Sequence, residues 1–199
     1  NSTDDELMSI FPRALPNDCQ SKGLGLVCKS FPLTTNLMGI KTLTLRSPNI
    51  TPADMVTGAT FIVNVLILKI TNSSIISLSW PQISSLTFLT YLDLSYNPLS
   101  FIHENAFANN TKICKLLLHH TYLLHLSHNA FQGILNSLVT LDLSQTNILS
   151  IDFLPHFNKL TTIYAPVPEI CCVAVGAMCK SDVQSEDVFG SCSNIISST

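Results

Sequence analysis

The phrase Leu89-Thr-Tyr-Leu92-Asp-Leu94-Ser-Tyr-Asn97-Pro-Leu99 constrains this chain more than any other feature, because it recurs. The same apolar spacing returns as Ile40-Leu43-Leu45-Ile50, Val65-Leu68-Ile70-Ile75, Ile113-Leu116-Leu118-Leu123 and Leu138-Leu141-Leu143-Ile148, then as a shortened Leu160-Ile163-Ala165. Starts at 40, 65, 89, 113, 138 and 160 lie 25, 24, 24, 25 and 22 residues apart. A unit this short cannot bury its own apolar face, so it must stack on neighbours.

The phrase and its period resemble the leucine-rich repeat, whose units run about 20–29 residues. The expected fold is an α/β solenoid: a horseshoe arc with short parallel strands on its concave side, an irregular convex side and disulfide caps at both ends. Within a unit, Leu92 and Leu94 alternate inward on a short strand, and Asn97 turns in to satisfy backbone groups that no strand ladder reaches. The amide ladder is incomplete, since its other positions are Pro48, Ser73, Thr121 and Thr146. Hydroxyls reach less far, so the stack should be less regular than a consensus array. On the convex side Phe107, Phe131 and Phe153 recur six or seven residues before the next strand motif, as an aromatic spine would. Trp80-Pro81 takes that side of its own repeat, with Ile83 standing in for the Phe.

Residues 1–18 form a polar, proline-broken lead-in, 19–39 an amino-terminal cysteine cap, 40–166 six repeats and 167–199 a cysteine-rich carboxy-terminal cap. The cysteines number seven. Cys19 and Cys28 are expected to pair across the first cap. Cys171, Cys172, Cys179 and Cys192 crowd the second, where three pairings are open. Cys114 is left as an unpaired, partly buried thiol. Sequons at Asn1, Asn49, Asn72 and Asn109, together with paired terminal cysteines, point to the secretory route and an oxidising compartment. Zinc at the second cap is the alternative that such a compartment disfavours. The longest apolar run, Phe61 to Ile70, is too short to cross a bilayer and contains Asn64 and Lys69. The chain opens without an initiator Met or signal peptide, which reads as a portion of something longer.

Charged residues are only 12% of the chain, the net charge is −3, and the ten Lys and Arg are scattered. A nucleic-acid footprint would be a basic stripe, so no nucleic-acid partner is expected. Side chains between the core leucines face outward on the concave sheet in three columns. The first is Thr42, Ile67, Tyr91, Lys115, Thr140, Thr162. The second is Thr44, Lys69, Asp93, Leu117, Asp142, Tyr164, and the third Arg46, Thr71, Ser95, His119, Ser144, Pro166. Tyr91, Leu117 and Tyr164 stand out as apolar anchors, with Asp93, Lys115 and Asp142 as the charged contacts of a ligand-binding patch. Asp142 reads as the least compensated charge. The two aspartates belong to the repeated phrase L-D-L-S, and nothing separates their environments as an acid/base pair requires. No catalytic residue and no cofactor is expected. His119, His120, His125 and His128 resemble a metal cluster, but consecutive strand residues point apart and no ligand set is completed.

After Tyr164 the repeat dissolves. The segment Cys171-Cys172-Val-Ala174, Cys179 and Phe189-Gly-Ser-Cys192-Ser-Asn-Ile-Ile resembles the hinge of leucine-rich-repeat-containing G-protein-coupled receptors, nearest their relaxin-receptor-like branch. The Cys19…Lys22-Gly-Leu-Gly-Leu-Val-Cys28 cap is similar to theirs too. That resemblance implies a hormone-receptor ectodomain on the extracellular side of the plasma membrane, a peptide or small-protein ligand, and a membrane-spanning portion beyond Thr199. The alternatives are an innate-immune or adhesion receptor ectodomain and a secreted leucine-rich-repeat binding protein.

Overall fold

The computed structural model describes residues 18–33, 37, 39–174 and 176–182. Its strands are β1 (Cys19–Lys22), β2 (Gly25–Cys28), β3 (Thr42–Leu45), β4 (Ile67–Ile70), β5 (Ser77–Leu78), β6 (Tyr91–Asp93), β7 (Phe101–Ile102), β8 (Lys115–Leu117), β9 (Thr140–Asp142), β10 (Thr162–Ala165) and β11 (Met178–Ser181). Nine of them form one sheet in the order β1-β2-β3-β4-β6-β8-β9-β10-β11, and β5 pairs with β7 in a small second sheet on the flank. Every pairing in the large sheet is parallel except β1 with β2.

The register follows from the repeat phrase. Leu43, Leu68, Leu92, Leu116, Leu141 and Ile163 are successive partners across six strands, and all are buried. A one-residue slip in any strand would turn its leucines out to solvent, so burial itself fixes the alignment. Asn97 anchors the centre. Its Oδ1 accepts from Ser73 N and Ile75 N, both at 3.2 Å, and its Nδ2 donates to Ile70 O at 2.7 Å and Leu94 O at 2.9 Å. Thr121 and Thr146 reach only their own turns, donating to Leu118 O and Leu143 O. From these turn positions the hydroxyl does not bridge two coils as the Asn97 amide does, which is the irregularity expected of this ladder.

The convex side carries helix α1 (Pro52–Ala59), single turns α2 (Trp80–Ile83) and α3 (His128–Phe131), and 3-10 turns at Gln132–Ile134 and Leu154–His156. Thr51 starts α1 as a capping box: its Oγ1 accepts from Asp54 N, and its own N–H donates to Asp54 Oδ2. Further along, stacked rings replace helix. Phe131 lies 5.3 Å from Phe107, 5.7 Å from Phe153 and 6.0 Å from Phe157, so the spine has a fourth member. Gly133 lets coils close up beside it, because a Cβ there would fall 2.0 Å from Phe107 O.

Both ends are capped. Cys19 and Cys28 face each other across the β1–β2 hairpin and are bonded. At the other end helix α4 (Pro168–Val173) is tied to β11 by Cys171–Cys179, and Cys172 is disulfide-bonded as well. Cys192 lies outside the described residues. The array continues beyond Tyr164, where the sequence shows dissolution: β11 runs parallel to β10 from Thr162↔Met178 to Ala165↔Ser181. Cys114 is exposed, where the sequence implied partial burial; it is the free cysteine among the described residues, and its Sγ donates to Thr90 O at 3.3 Å. It follows the fully buried Ile113 and points the other way, out of the core, just before β8 begins. Among the described residues no helix is long and apolar enough to cross a membrane.

Candidate binding face

Strand alternation puts one set of side chains into the core and presents the other set on the concave surface. The pairing reproduces two columns residue by residue: Thr42–Ile67–Tyr91–Lys115–Thr140–Thr162 and Thr44–Lys69–Asp93–Leu117–Asp142–Tyr164. Tyr91, Asp93, Lys115, Leu117, Asp142 and Tyr164 therefore share one surface. The caps extend it by Val27 at one end and by Met178 and Lys180 at the other. The last two were invisible in sequence, since Met178-Cys-Lys-Ser carries no repeat phrase.

Tyr91 is the hub. Lys69 Nζ stands 5.1 Å and Lys115 Nζ 5.3 Å from its ring centroid, and Lys180 Nζ lies 5.9 Å from that of Tyr164. Such contacts contribute about 0.5–1 kcal/mol each when exposed. The neighbouring carboxylates serve the backbone. Asp93 Oδ1 accepts from Ser95 N at 3.0 Å; Asp142 Oδ1 accepts from Ser144 N at 3.0 Å and Ser144 Oγ at 2.6 Å. The repeated L-D-L-S phrase is thus a device that closes the turn after the strand. Asp142, the least compensated charge in the sequence reading, keeps its charge but is held by its own turn.

Burial raises the pKa of Tyr91, and the negative charges of Asp93 and Asp142 raise it further. The phenolate is disfavoured, so as alkali passes the ordinary phenol range the native state holds this proton longer than the unfolded chain does. Stability that is intact below that range should fall as pH climbs through the raised pKa. A spectrophotometric alkaline titration of wild type against Tyr91→Phe should place the missing phenol above its ordinary value; a midpoint at or below that value would contradict this environment.

At the strand exits, Asn72, Tyr96, His120 and Gln145 occupy the same place in four successive repeats, with φ of 52°, 58°, 54° and 55°. This left-handed residue breaks the alternation that separates neighbouring side chains. His119 and His120 consequently meet, contrary to the expectation that they point apart. Their Nδ1 atoms are 3.0 Å apart, and the His120 ring stacks on Tyr96 at 4.4 Å. His125 instead faces Phe101, and His128 faces His156 and Phe153. The four do not converge, and among the described residues no group of three or more His, Cys, Asp or Glu could hold a metal ion. Asn49, Asn72 and Asn109 are exposed and off the concave columns; Asn1 lies outside the described residues.

Residues 64–123 match the leucine rich repeat family model. The fold is a leucine-rich-repeat solenoid. Among solved structures, the solenoid is similar to that in a crystal structure of a TLR13–ssRNA13 complex, with a TM-score of 0.55 and 21% identity over 65% of this chain and 19% of that one. It is also similar to the Drosophila Toll–Spatzle complex, with a TM-score of 0.56 and 16% identity over 65% of this chain and 17% of that one. The chain thus spans less than a fifth of either. By sequence, no curated protein matches the chain. At these identities the likeness establishes architecture, and architecture alone does not assign function.

Proposed function

We propose that this solenoid is a ligand-binding segment of an extracellular receptor, recognising a protein or peptide through its concave sheet. The observation that carries the reading is the aromatic–cationic cluster of Lys69, Tyr91 and Lys115 on the one face that strand register keeps free of core duty. Aromatic anchors ringed by polar groups are what binding hot spots favour. Disulfide-closed caps suit an oxidising compartment, and Asn49, Asn72 and Asn109 could carry glycan without covering this face. The cysteine hinge favours a receptor of the G-protein-coupled hormone type. The architectural likeness to Toll favours an innate-immune receptor equally, and the coding sequence after Thr199 separates the two: seven apolar spans for the first, one for the second.

The direct test is steric. Thr42→Asn completes a sequon with Thr44 and, when expressed through the secretory pathway, hangs a glycan over the face; the added mass shows that it is occupied. Wild type and variant are then probed against an array of defined secreted proteins and peptides, with a single-stranded RNA panel alongside because one similar structure holds such a ligand. Specific protein or peptide capture that the glycan abolishes supports the proposal. Capture indifferent to the glycan, or confined to RNA, would overturn it.

A further inference from the structure

Carboxylates and ammonium groups are close in number on the concave face but unequal in freedom. Asp93 is only 9% exposed, and its Oδ1 is engaged by Ser95 N. Asp142 holds two groups of Ser144, and at the carboxy-terminal edge Asp182 Oδ2 accepts from Gln145 N at 2.6 Å. Drawing any of these to a ligand would strand a main-chain N–H. The lysines are differently placed. Lys69 and Lys115, from the strands on either side of Tyr91, both lean on its ring, and Lys180 leans on that of Tyr164. A ring face attracts the charge without consuming the hydrogen-bond donors of the ammonium, which remain for an incoming acceptor.

We infer that the partner segment this face takes is acidic, with carboxylates held by Lys69 and Lys115 across the Tyr91 ring. The inference rests on the concave-face reading above and names its ligand chemistry. Lys115 lies on the strand beyond Tyr91 and Lys69 on the strand before it, and with Nζ atoms 5.1 Å and 5.3 Å from one ring centroid the two ammonium groups stand at most about 10 Å apart. Two carboxylates three residues apart on a polyproline II segment lie on one side of it, about 9 Å apart. Ile67, Leu117 and Thr140 border the clamp and supply the apolar and hydroxyl contacts that a peptide backbone and its side chains use. A nucleic-acid strand would call instead for an unbroken basic track, and here neutral residues separate the cations. Lys180 beside Tyr164 gives an outlying third contact that fixes direction along the arc.

The test pans a random linear peptide library on the purified chain, on the Thr42→Asn glycan variant, and on Lys69→Met/Lys115→Met, which keeps the side-chain length and removes the charge. Peptides retained by wild type and lost on the glycan variant should be rich in Asp and Glu. Their affinity for the double Met variant should fall about tenfold or more, and the double Arg variant should recover it. Glycan-sensitive peptides without acidic bias, bound equally by the Met variant, would overturn this inference while leaving the concave-face reading intact. Retention indifferent to the glycan would overturn both. A single-stranded RNA oligonucleotide bound in preference to every acidic peptide would assign the lysines to a different polymer and overturn the inference.

Discussion

Asn97→Ala is expected to lower the unfolding free energy by about 3–5 kcal/mol, because each buried backbone group left without its partner costs about 1–3 kcal/mol. The amide is 2% exposed and holds Ser73 N, Ile75 N, Ile70 O and Leu94 O together, three of them from the preceding coil. Alanine strands two donors that water cannot reach. Asn97→Thr should recover only the bond to its own turn, as Thr121 and Thr146 do in their repeats. Urea unfolding followed by circular dichroism measures both. A loss under about 1 kcal/mol for Ala, below the cost of one such group, would show that this coil junction is held by leucine packing alone.

Phe131→Ala should cost about 3–5 kcal/mol, the usual range for deleting a buried ring. Phe131 is fully buried and touches Phe107, Phe153 and Phe157, so no single neighbour can fall into the gap. The exposed Phe101, at 44% accessibility, provides the control: Phe101→Ala should shift stability by no more than about 0.5 kcal/mol. Calorimetric melting of both variants is decisive, and equal midpoints would remove the spine as a source of stability.

The repeat phrase made the inner face of every central strand legible, since a period near 24 residues and an alternation of two leave one register. It could not reveal β11. Met178, Cys179, Lys180 and Ser181 put a disulfide where other coils put leucines, so hydrophobic periodicity has nothing to detect. The roles of Asp93 and Asp142 were hidden for another reason. A carboxylate on an outward position reads as a surface charge until the turn after it is known to curl back onto its oxygen. His119 and His120 show the same limit, because the strand rule that separates neighbours lapses where φ turns positive. Two of the three columns were legible. In the third Ser95 is buried instead of facing outward, because it lies past the end of β6 where the chain curls into the turn. The division of labour within the columns was hidden.

The hairpin at the amino-terminal end has a consequence for how the molecule behaves in a crowd. Like coils stacked edge to edge offer open backbone at each extremity, an invitation to another chain and eventually to a fibre. Here the outermost strand reverses direction, shows Gln20, Ser21 and Lys22 to solvent, and is stapled by Cys19–Cys28. The opposite margin presents Lys180 and is stapled by Cys171–Cys179. A newcomer at the amino-terminal margin would have to match a polar strand that runs against the rest of the sheet, so the parallel ladder that joins the coils is not extended there.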